Sequence, residues 1–143
     1  MSSPTASQLL VHPNLTSGEY VRVTPEMAGW EHLSFAARTL NRGESWHGNT
    51  GQCEYGFVVL GGTCSVESSR GDWPKIGRRP DVFRGMPYAL YLPRETEFTV
   101  TALGDGVDIA CGWCRSEGCH PPRLVTPEQV AVEIRGGGNA TRQ

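Results

Sequence analysis

Apolar and polar residues alternate with the two-residue period of a β-strand along several short stretches of this chain. The alternation in residues 97–103 predicts a strand with Phe98, Val100 and Ala102 on one face. Similar stretches predict strands at residues 19–23, 55–60, 63–67, 88–92, 107–113 and 123–125. Short strands separated by turns rich in glycine and proline predict an all-β fold, a barrel or a sandwich.

One further alternating strand is predicted to carry Leu33, Phe35 and Ala37 on one face. Ser34 and Arg38 then lie nearer the opposite face. This strand, at residues 31–40, is followed by the turn Asn41-Arg42-Gly43, which leads into a polar, glycine-rich loop that contains the first candidate site residues.

Glycines mark the predicted turns. Gly61-Gly62 lies between two apolar stretches, and because a Gly-Gly loop accepts the positive φ angles of tight turns, it predicts a hairpin. The Gly-Asp-Gly run at residues 104–106 predicts a second reversal of the chain. Thr24-Pro25 has the signature of a helix start, but Gly29 follows within about one turn, so a turn is expected and not a helix.

The length of 143 residues predicts one domain. We expect a β-barrel domain at residues 9–134, preceded by a flexible end at residues 1–8 and followed by a linker-like, glycine-rich segment at residues 135–143.

Composition narrows the range of partners. A net charge of −2 supplies no basic field for nucleic acid. The first residues lack the pattern of a signal peptide, and no apolar run approaches the roughly 18 residues of a membrane span. We therefore expect no nucleic-acid or membrane partner and a cytoplasmic location.

The glycine-rich loop resembles the first metal motif of the cupins, small β-barrels of the jelly-roll type. That motif reads Gly, five residues, His-x-His, three or four residues, Glu, six residues, Gly. Here Gly43 is followed by Asn49-x-Gly51, then Glu54 and Gly61. The frame is one residue short before the glutamate, and both histidines are replaced.

The second cupin motif, Pro-x-Gly-x-x-His, corresponds to Pro93-x-Glu95-x-x-Phe98. Phe98 stands where the last histidine ligand belongs, so Glu54 alone retains a ligand type. One carboxylate is too few for a divalent ion, which needs several convergent donors. We expect no metal and no other cofactor in this chain.

Glu54 and His47 are the candidate catalytic residues. The simplest interpretation of Glu54 is a carboxylate at the barrel mouth that pairs with an arginine, and the alternative is a catalytic group. His47 lies two residues before Asn49. It is either a loop residue at the barrel mouth or a ligand or acid–base group.

Five cysteines in a chain without an export signal indicate reduced thiols. Cys111, Cys114, Cys119 and His120 could together supply four donors to zinc. Cys119 and His120 are adjacent, however, and no second cysteine pair at a finger spacing supports them, so we favour free thiols.

Taken in order, several phrases of the sequence resemble the 5-deoxyglucuronate isomerase family of inositol catabolism, which is related to the uronate isomerases of pectin degradation. The matching phrases are Thr24-Pro25-Glu26-x-Ala28-Gly29-Trp30, Gly43-Glu44-Ser45-Trp46, Thr50-Gly51-x-x-Glu54, Gly77-x-Arg79, Val82-Phe83, Tyr91-x-Pro93, Glu97-Phe98-Thr99-Val100-Thr101-Ala102, Thr126-Pro127-Glu128 and Arg135-Gly136-x-Gly138-Asn139-x-Thr141-Arg142-Gln143.

Members of that family are bicupins about twice this length, and the resemblance covers only their first half. It implies an aldose–ketose isomerisation of a sugar acid at a divalent metal such as zinc or manganese, held by histidines and a glutamate of the second half. It also implies that Arg79 either binds the substrate carboxylate or pairs internally with Glu54.

Three functions follow as hypotheses. The chain is the first half of an isomerase, inactive alone and paired with a second cupin half, or it is a metal-free cupin that binds a sugar acid or forms homo-oligomers. The third is the zinc module described above.

Overall fold

The computed structural model describes residues 10–15 and 18–143, so the flexible end predicted for residues 1–8 lies outside the described residues. The elements, in chain order, are β1 (Glu19–Val23), α1 (Pro25–Ala28), β2 (Ser34–Leu40), β3 (Ser45–Asn49), β4 (Cys53–Ser68), β5 (Gly71–Ile76), β6 (Ala89–Leu92), β7 (Glu97–Arg115) and β8 (Arg123–Val125). Two short 3₁₀ helices follow at Pro127–Gln129 and Gly138–Ala140. The all-β prediction is confirmed.

The two long strands β4 and β7 organise the fold. They pair antiparallel from Cys53↔Arg115 to Ser68↔Phe98. One part of the sheet has the strand order β1-β2-β7-β4-β6-β8 and contains the first part of β4 and the last part of β7. In the other part, β3 pairs with the first part of β7, and β5 pairs with the last part of β4. The sheet therefore consists of two parts that face each other, as in a cupin-type jelly roll.

Both predicted glycine turns are corners within continuous strands. Gly61 and Gly62 lie inside β4, and residues 104–106 lie inside β7, so the predicted hairpin and the predicted reversal are both wrong. The register between β4 and β7 shifts after Gly62: Gly62 pairs with Val107, whereas the next residue, Thr63, pairs with Leu103. Glycine is required because a β-carbon on Gly61 would lie 2.5 Å from the carbonyl oxygen of Pro80.

The core fills the space between the two parts of the sheet. Phe98, Val100 and Ala102 are each at most 4% exposed, which confirms the predicted inner face of that strand. The faces of β2 are the reverse of the prediction. Its even-numbered residues point inward, with Ala36 and Leu40 in the core, while Leu33 just before the strand is 51% exposed.

The remaining segments are short. Residues 25–28 form one helical turn ended by Gly29 at φ 70°, where the sequence predicted a turn without a helix. At the other end, the backbones of Arg135 and Arg142 pair and close a loop of exposed residues. In the described part of the chain, no helix is long and apolar enough to cross a membrane.

Candidate functional site

Aromatic rings occupy the interior next to the predicted metal motifs, and of the four motif positions only Phe98 lies in the core. On β3, Trp46 and Gly48 point inward, and Trp46 packs edge-on against the core rings of Phe57 and Phe98. A β-carbon on Gly48 would lie 2.9 Å from Cε1 of Phe98, so the Phe98 ring fills that space. The residues present therefore do not fit a metal at this position.

Asn49, the first ligand position of the predicted metal motif, does not lie inside the barrel. Asn49 is exposed, and its Oδ1 accepts a hydrogen bond from the backbone N–H of Gly51 at 2.8 Å. Gly51 lies in the following turn at φ 57°. Because side chains alternate along a strand, a shift of one residue moves a side chain to the opposite face.

Glu54 lies on the outer face of β4, because its neighbour Tyr55 points into the barrel and stacks on Trp113 with ring centroids 5.4 Å apart. The Tyr91 hydroxyl donates to Glu54 Oε2 at 2.9 Å, and Cys114 Sγ lies 3.8 Å from Oε1. The expected placement at the barrel mouth beside an arginine is therefore wrong.

The partners of Glu54 stay protonated at neutral pH. Burial, and next the hydrogen bond to Glu54, raises the pKa of Tyr91 to about 12. Burial, followed by the nearby Glu54 carboxylate, also raises the pKa of the Cys114 thiol. Neither group is prepared to act as a base or a thiolate nucleophile.

Arg79 ties a loop to the barrel. Its Nη2 donates to the carbonyl of Val59 and its Nη1 to the carbonyl of Gly85, both at 3.2 Å. The predicted internal pair with Glu54 does not form. Its Nε is buried without a hydrogen-bond partner in the described part of the structure. Substrate binding by Arg79 stays a prediction.

His47 lies on the outer face of β3. Its Nδ1 is 2.8 Å from Thr99 Oγ1, and the side chain borders an open cleft with Glu67, Asp72 and Glu97. Since β3 pairs with the first part of β7, whereas Glu54 pairs with its last part, the fold does not bring His47 and Glu54 together.

The proposed zinc ligands are separated by the same alternation. Cys111 is buried in the core, and burial raises the pKa of its thiol to about 11. Cys114 lies on the outer face and Cys119 in an exposed loop. Among the described residues, no three His, Cys, Asp or Glu side chains converge on a possible metal position, so the zinc hypothesis is wrong.

A group of charged and aromatic side chains that no sequence motif indicates points into one end of the barrel. We call it the mouth cluster, and it consists of Glu19, Arg22, Arg38, Trp46, Tyr55 and Trp113. The alternation predicted for this strand places Arg38 on the face opposite Leu33, Phe35 and Ala37, whereas the structure places it inside. Its neighbours Ala36 and Leu40, both apolar and both two residues away, carried the signal that would have placed it inside.

Within the mouth cluster, Glu19 holds both arginines. Arg38 Nη2 lies 2.9 Å and Arg22 Nη1 3.3 Å from Glu19 Oε2. The Arg38 guanidinium lies over the Trp46 ring, 4.6 Å from its centroid, and that of Arg22 lies 5.0 Å from the centroid of Trp113. The cluster can therefore present fixed guanidinium donors beside aromatic surfaces.

Comparison with known proteins agrees with this fold. The model of the KduI/IolB family matches residues 9–143. A 5-deoxy-glucuronate isomerase of Geobacillus kaustophilus is 36% identical over 140 residues, which are 96% of this chain and 50% of that protein. The crystal structure of an IolB-like protein of Salmonella typhimurium superposes with a TM-score of 0.86 at 33% identity, over 92% of this chain and 50% of the other.

A more distant neighbour shows the fold alone. The cupin domain of Cnp3 from Schizosaccharomyces pombe superposes with a TM-score of 0.54 at 13% identity, covering 72% of this chain and 69% of that domain. The predicted cupin-type fold and the predicted family resemblance are thus confirmed. The chain spans about half the length of the curated relatives it matches.

Proposed function

Because this chain belongs to the KduI/IolB family, we propose that it is the amino-terminal cupin of a 5-deoxyglucuronate isomerase. In this proposal it forms the scaffold half of a cytoplasmic enzyme of inositol catabolism. A second, metal-bearing cupin half supplies the catalytic centre, so the chain alone does not turn over substrate.

The chemistry explains why a second half is needed. Moving a carbonyl from an aldose to a ketose requires a base that removes the α proton and a cation or donors that stabilise the enediolate. The observation that carries the proposal is the Phe98 ring, which stands at the last histidine position of the second motif and packs against Gly48, with Trp46 beside it. The two candidate groups, His47 and Glu54, lie outside the barrel on different parts of the sheet.

The surface supports a docked partner. Phe83 is 92% exposed, next to the half-exposed Val82, in the loop that Arg79 holds. Leu33 and Trp30, near α1, are about half exposed as well. Large apolar side chains that face solvent are a feature of surfaces that pack against another domain or another copy of the chain.

An activity assay tests the proposal. The chain alone, supplied with manganese or zinc, should not convert 5-deoxyglucuronate and should bind no stoichiometric metal. Mixed with the separately produced carboxy-terminal half of the Geobacillus kaustophilus relative, it should raise the turnover above that of the half alone. A Phe83→Ser variant tests the docking surface. It should weaken this complementation without unfolding the exposed loop.

Two outcomes would overturn the proposal. Turnover by the chain alone with bound metal would show that it carries its own catalytic centre. A mixture no more active than the carboxy-terminal half alone, combined with a stable homodimer of this chain, would favour a separate dimerisation function.

A further inference from the structure

The two parts of the sheet differ in the polarity of their outer faces. In the part that contains β3 and β5, the outward side chains are polar. His47, Thr99 and Glu67, for example, are register partners across β3, β7 and β4. An antiparallel sheet with one face in water normally alternates apolar residues inside with polar residues outside. This part of the sheet therefore has the composition of a solvent-facing surface.

The other part of the sheet has an apolar outer face. One row of register partners, which we call the outer row, crosses all six strands of this part, from β1 to β8, and contains only apolar side chains. None of its members belongs to the core inside the barrel. Strands that are apolar on both faces are typical of sheets that are covered on both sides. The outer row consists of Val21, Ala37, Ala110, Val58, Ala89 and Val125.

A hollow lies next to the outer row. Gly112 on β7 and Gly56 on β4 are register partners, and a β-carbon on Gly56 would have no neighbouring atom within 4 Å. Their partners on the adjacent strands, Phe35 on β2 and Tyr91 on β6, border the hollow on its two sides. Glycine in a strand is often found where another chain approaches closely. The hollow therefore leaves room for a side chain from another surface.

The apolar surface is continuous across the sheet. Ala37 and Ala110, at the centre of the outer row, are only 4% and 9% exposed, whereas the flanking Val21 and Val58 keep part of their surface in solvent. Leu33 extends the surface beyond Gly112, since its Cδ1 lies 3.7 Å from the position of a β-carbon there. Six strands spaced about 4.8 Å apart make the row roughly 24 Å wide. A continuous apolar surface of this kind is a feature of protein interfaces.

Length and charge together indicate what covers this face. The chain spans about half the length of the curated relatives it matches. Its last strand, β8, forms one end of the outer row, so a domain that follows Gln143 can reach the face. A domain in the same polypeptide has a high effective concentration, whereas a second copy must be recruited from solution. The outer row carries no charge, which suits the apolar face of another sheet.

We propose that the outer row and the glycine hollow beside it are the surface against which the carboxy-terminal cupin half packs, sheet on sheet. An apolar side chain of that half enters the hollow between Phe35 and Tyr91. The small side chains of Ala37 and Ala110 allow two sheets to approach to the usual distance of about 10 Å. The identity of this partner rests on the proposed function, whereas the apolar character of the face does not.

The test uses one polypeptide that joins this chain to the carboxy-terminal half of the Geobacillus kaustophilus relative and so restores the full length. Hydroxyl-radical footprinting, read by mass spectrometry, compares this joined polypeptide with the chain alone. Phe35 and Tyr91, which are partly exposed here, should react several-fold more slowly in the joined polypeptide. His47, on the polar outer face, should react at the same rate in both.

Variants of one strand locate the surface. Val58→Glu places a charge in the outer row and should return Phe35 and Tyr91 to the reaction rates of the chain alone. Ser65→Glu is the matched control, because Ser65 also lies on β4, points outward and is partly exposed, but belongs to the polar part of the sheet. If Val58→Glu unfolds, Gly56→Thr fills the hollow with a side chain that suits a strand, and the same loss of protection is expected.

Three results would overturn the proposal. Phe35 and Tyr91 could react equally in the joined polypeptide and in the chain alone, or Val58→Glu and Ser65→Glu could have equal effects. Protection in the chain alone that disappears on dilution would assign the face to a second copy instead. Isomerase turnover by the joined polypeptide with manganese is measured in parallel. Turnover without protection refutes the docking surface alone, and protection without turnover refutes the isomerase proposal alone.

Discussion

The ring of Phe98 on β7 lies against the backbone of Gly48, its register partner on β3. The two residues are register partners, and both point into the barrel. A side chain at position 48 and an aromatic ring at position 98 cannot occupy the same space. The Phe98 ring therefore fills the interior of the barrel beside Gly48.

The first prediction concerns that contact. Gly48→Ala should lower the free energy of unfolding by about 1–3 kcal/mol, because a methyl group at this position overlaps the Phe98 ring and forces it to move. Urea denaturation measures the effect. Gly56→Ala is the control, since Gly56 also lies in a strand, has no positive φ angle and has no neighbouring atom within 4 Å of its β-carbon position.

The same substitution in a Phe98→Leu variant tests whether the Phe98 ring causes the loss of stability. In a Phe98→Leu variant the smaller side chain leaves room, so Gly48→Ala should cost less there than in the wild type. Equal costs in both backgrounds would show that the Phe98 ring does not exclude a side chain at position 48.

The second prediction concerns Tyr91 and Glu54. The pKa of Tyr91 rises from 10.0 to about 12 in the folded protein, so the folded state holds this proton more tightly than the unfolded state. The stabilisation is complete below about pH 10 and is lost as the pH rises towards 12. Tyr91→Phe should therefore show a shallower loss of stability over this range in urea denaturation.

Glu54→Gln provides the comparison for Tyr91. It removes the negative charge that accepts the hydrogen bond, so the Tyr91 pKa should fall towards its ordinary value, as followed by ultraviolet titration of tyrosinate. An unchanged Tyr91 titration in this variant would mean that Glu54 does not hold the proton.

The third prediction concerns Arg79. Arg79→Met keeps the aliphatic stem but removes the hydrogen bonds to Val59 and Gly85. Amide hydrogen exchange in residues 81–86 should accelerate about tenfold or more, because hydrogen bonds from a charged group hold the loop on the barrel.

Arg84→Met is the control. It changes an exposed arginine of the same loop, whose ion pair with Asp81, three residues earlier, is open to solvent. It should leave the exchange rates nearly unchanged. Equal acceleration in both variants would show that Arg79 is no more than a surface residue of this loop.

Much of the fold was readable from local patterns. The alternation of Phe98, Val100 and Ala102 placed them correctly on the inner face, because packing reinforces a strong two-residue period. For β2 the sequence predicted the two-residue period correctly but placed the wrong set of residues inside the barrel. Ala36 and Ala37 are both buried, so hydrophobicity alone did not distinguish the inside of the barrel from the outside.

The candidate site was less predictable. Glu54 fitted the spacing of a metal motif, yet it points outward to Tyr91, since the frame was one residue short and each residue reverses the face. Arg22 and Arg38 lie 16 positions apart in the sequence and meet at Glu19 only because β1 pairs with β2. No spacing rule within one strand connects them.

The sequence by itself determined the all-β class, the family resemblance and the loss of histidine ligands, because these depend on residue types and short-range order. Only the tertiary structure decided that Gly61-Gly62 and residues 104–106 are corners of long strands. The same holds for the direction in which Glu54 and Arg38 point. Those features depend on which strands pair and in which register, and pairing joins residues that are far apart in the chain.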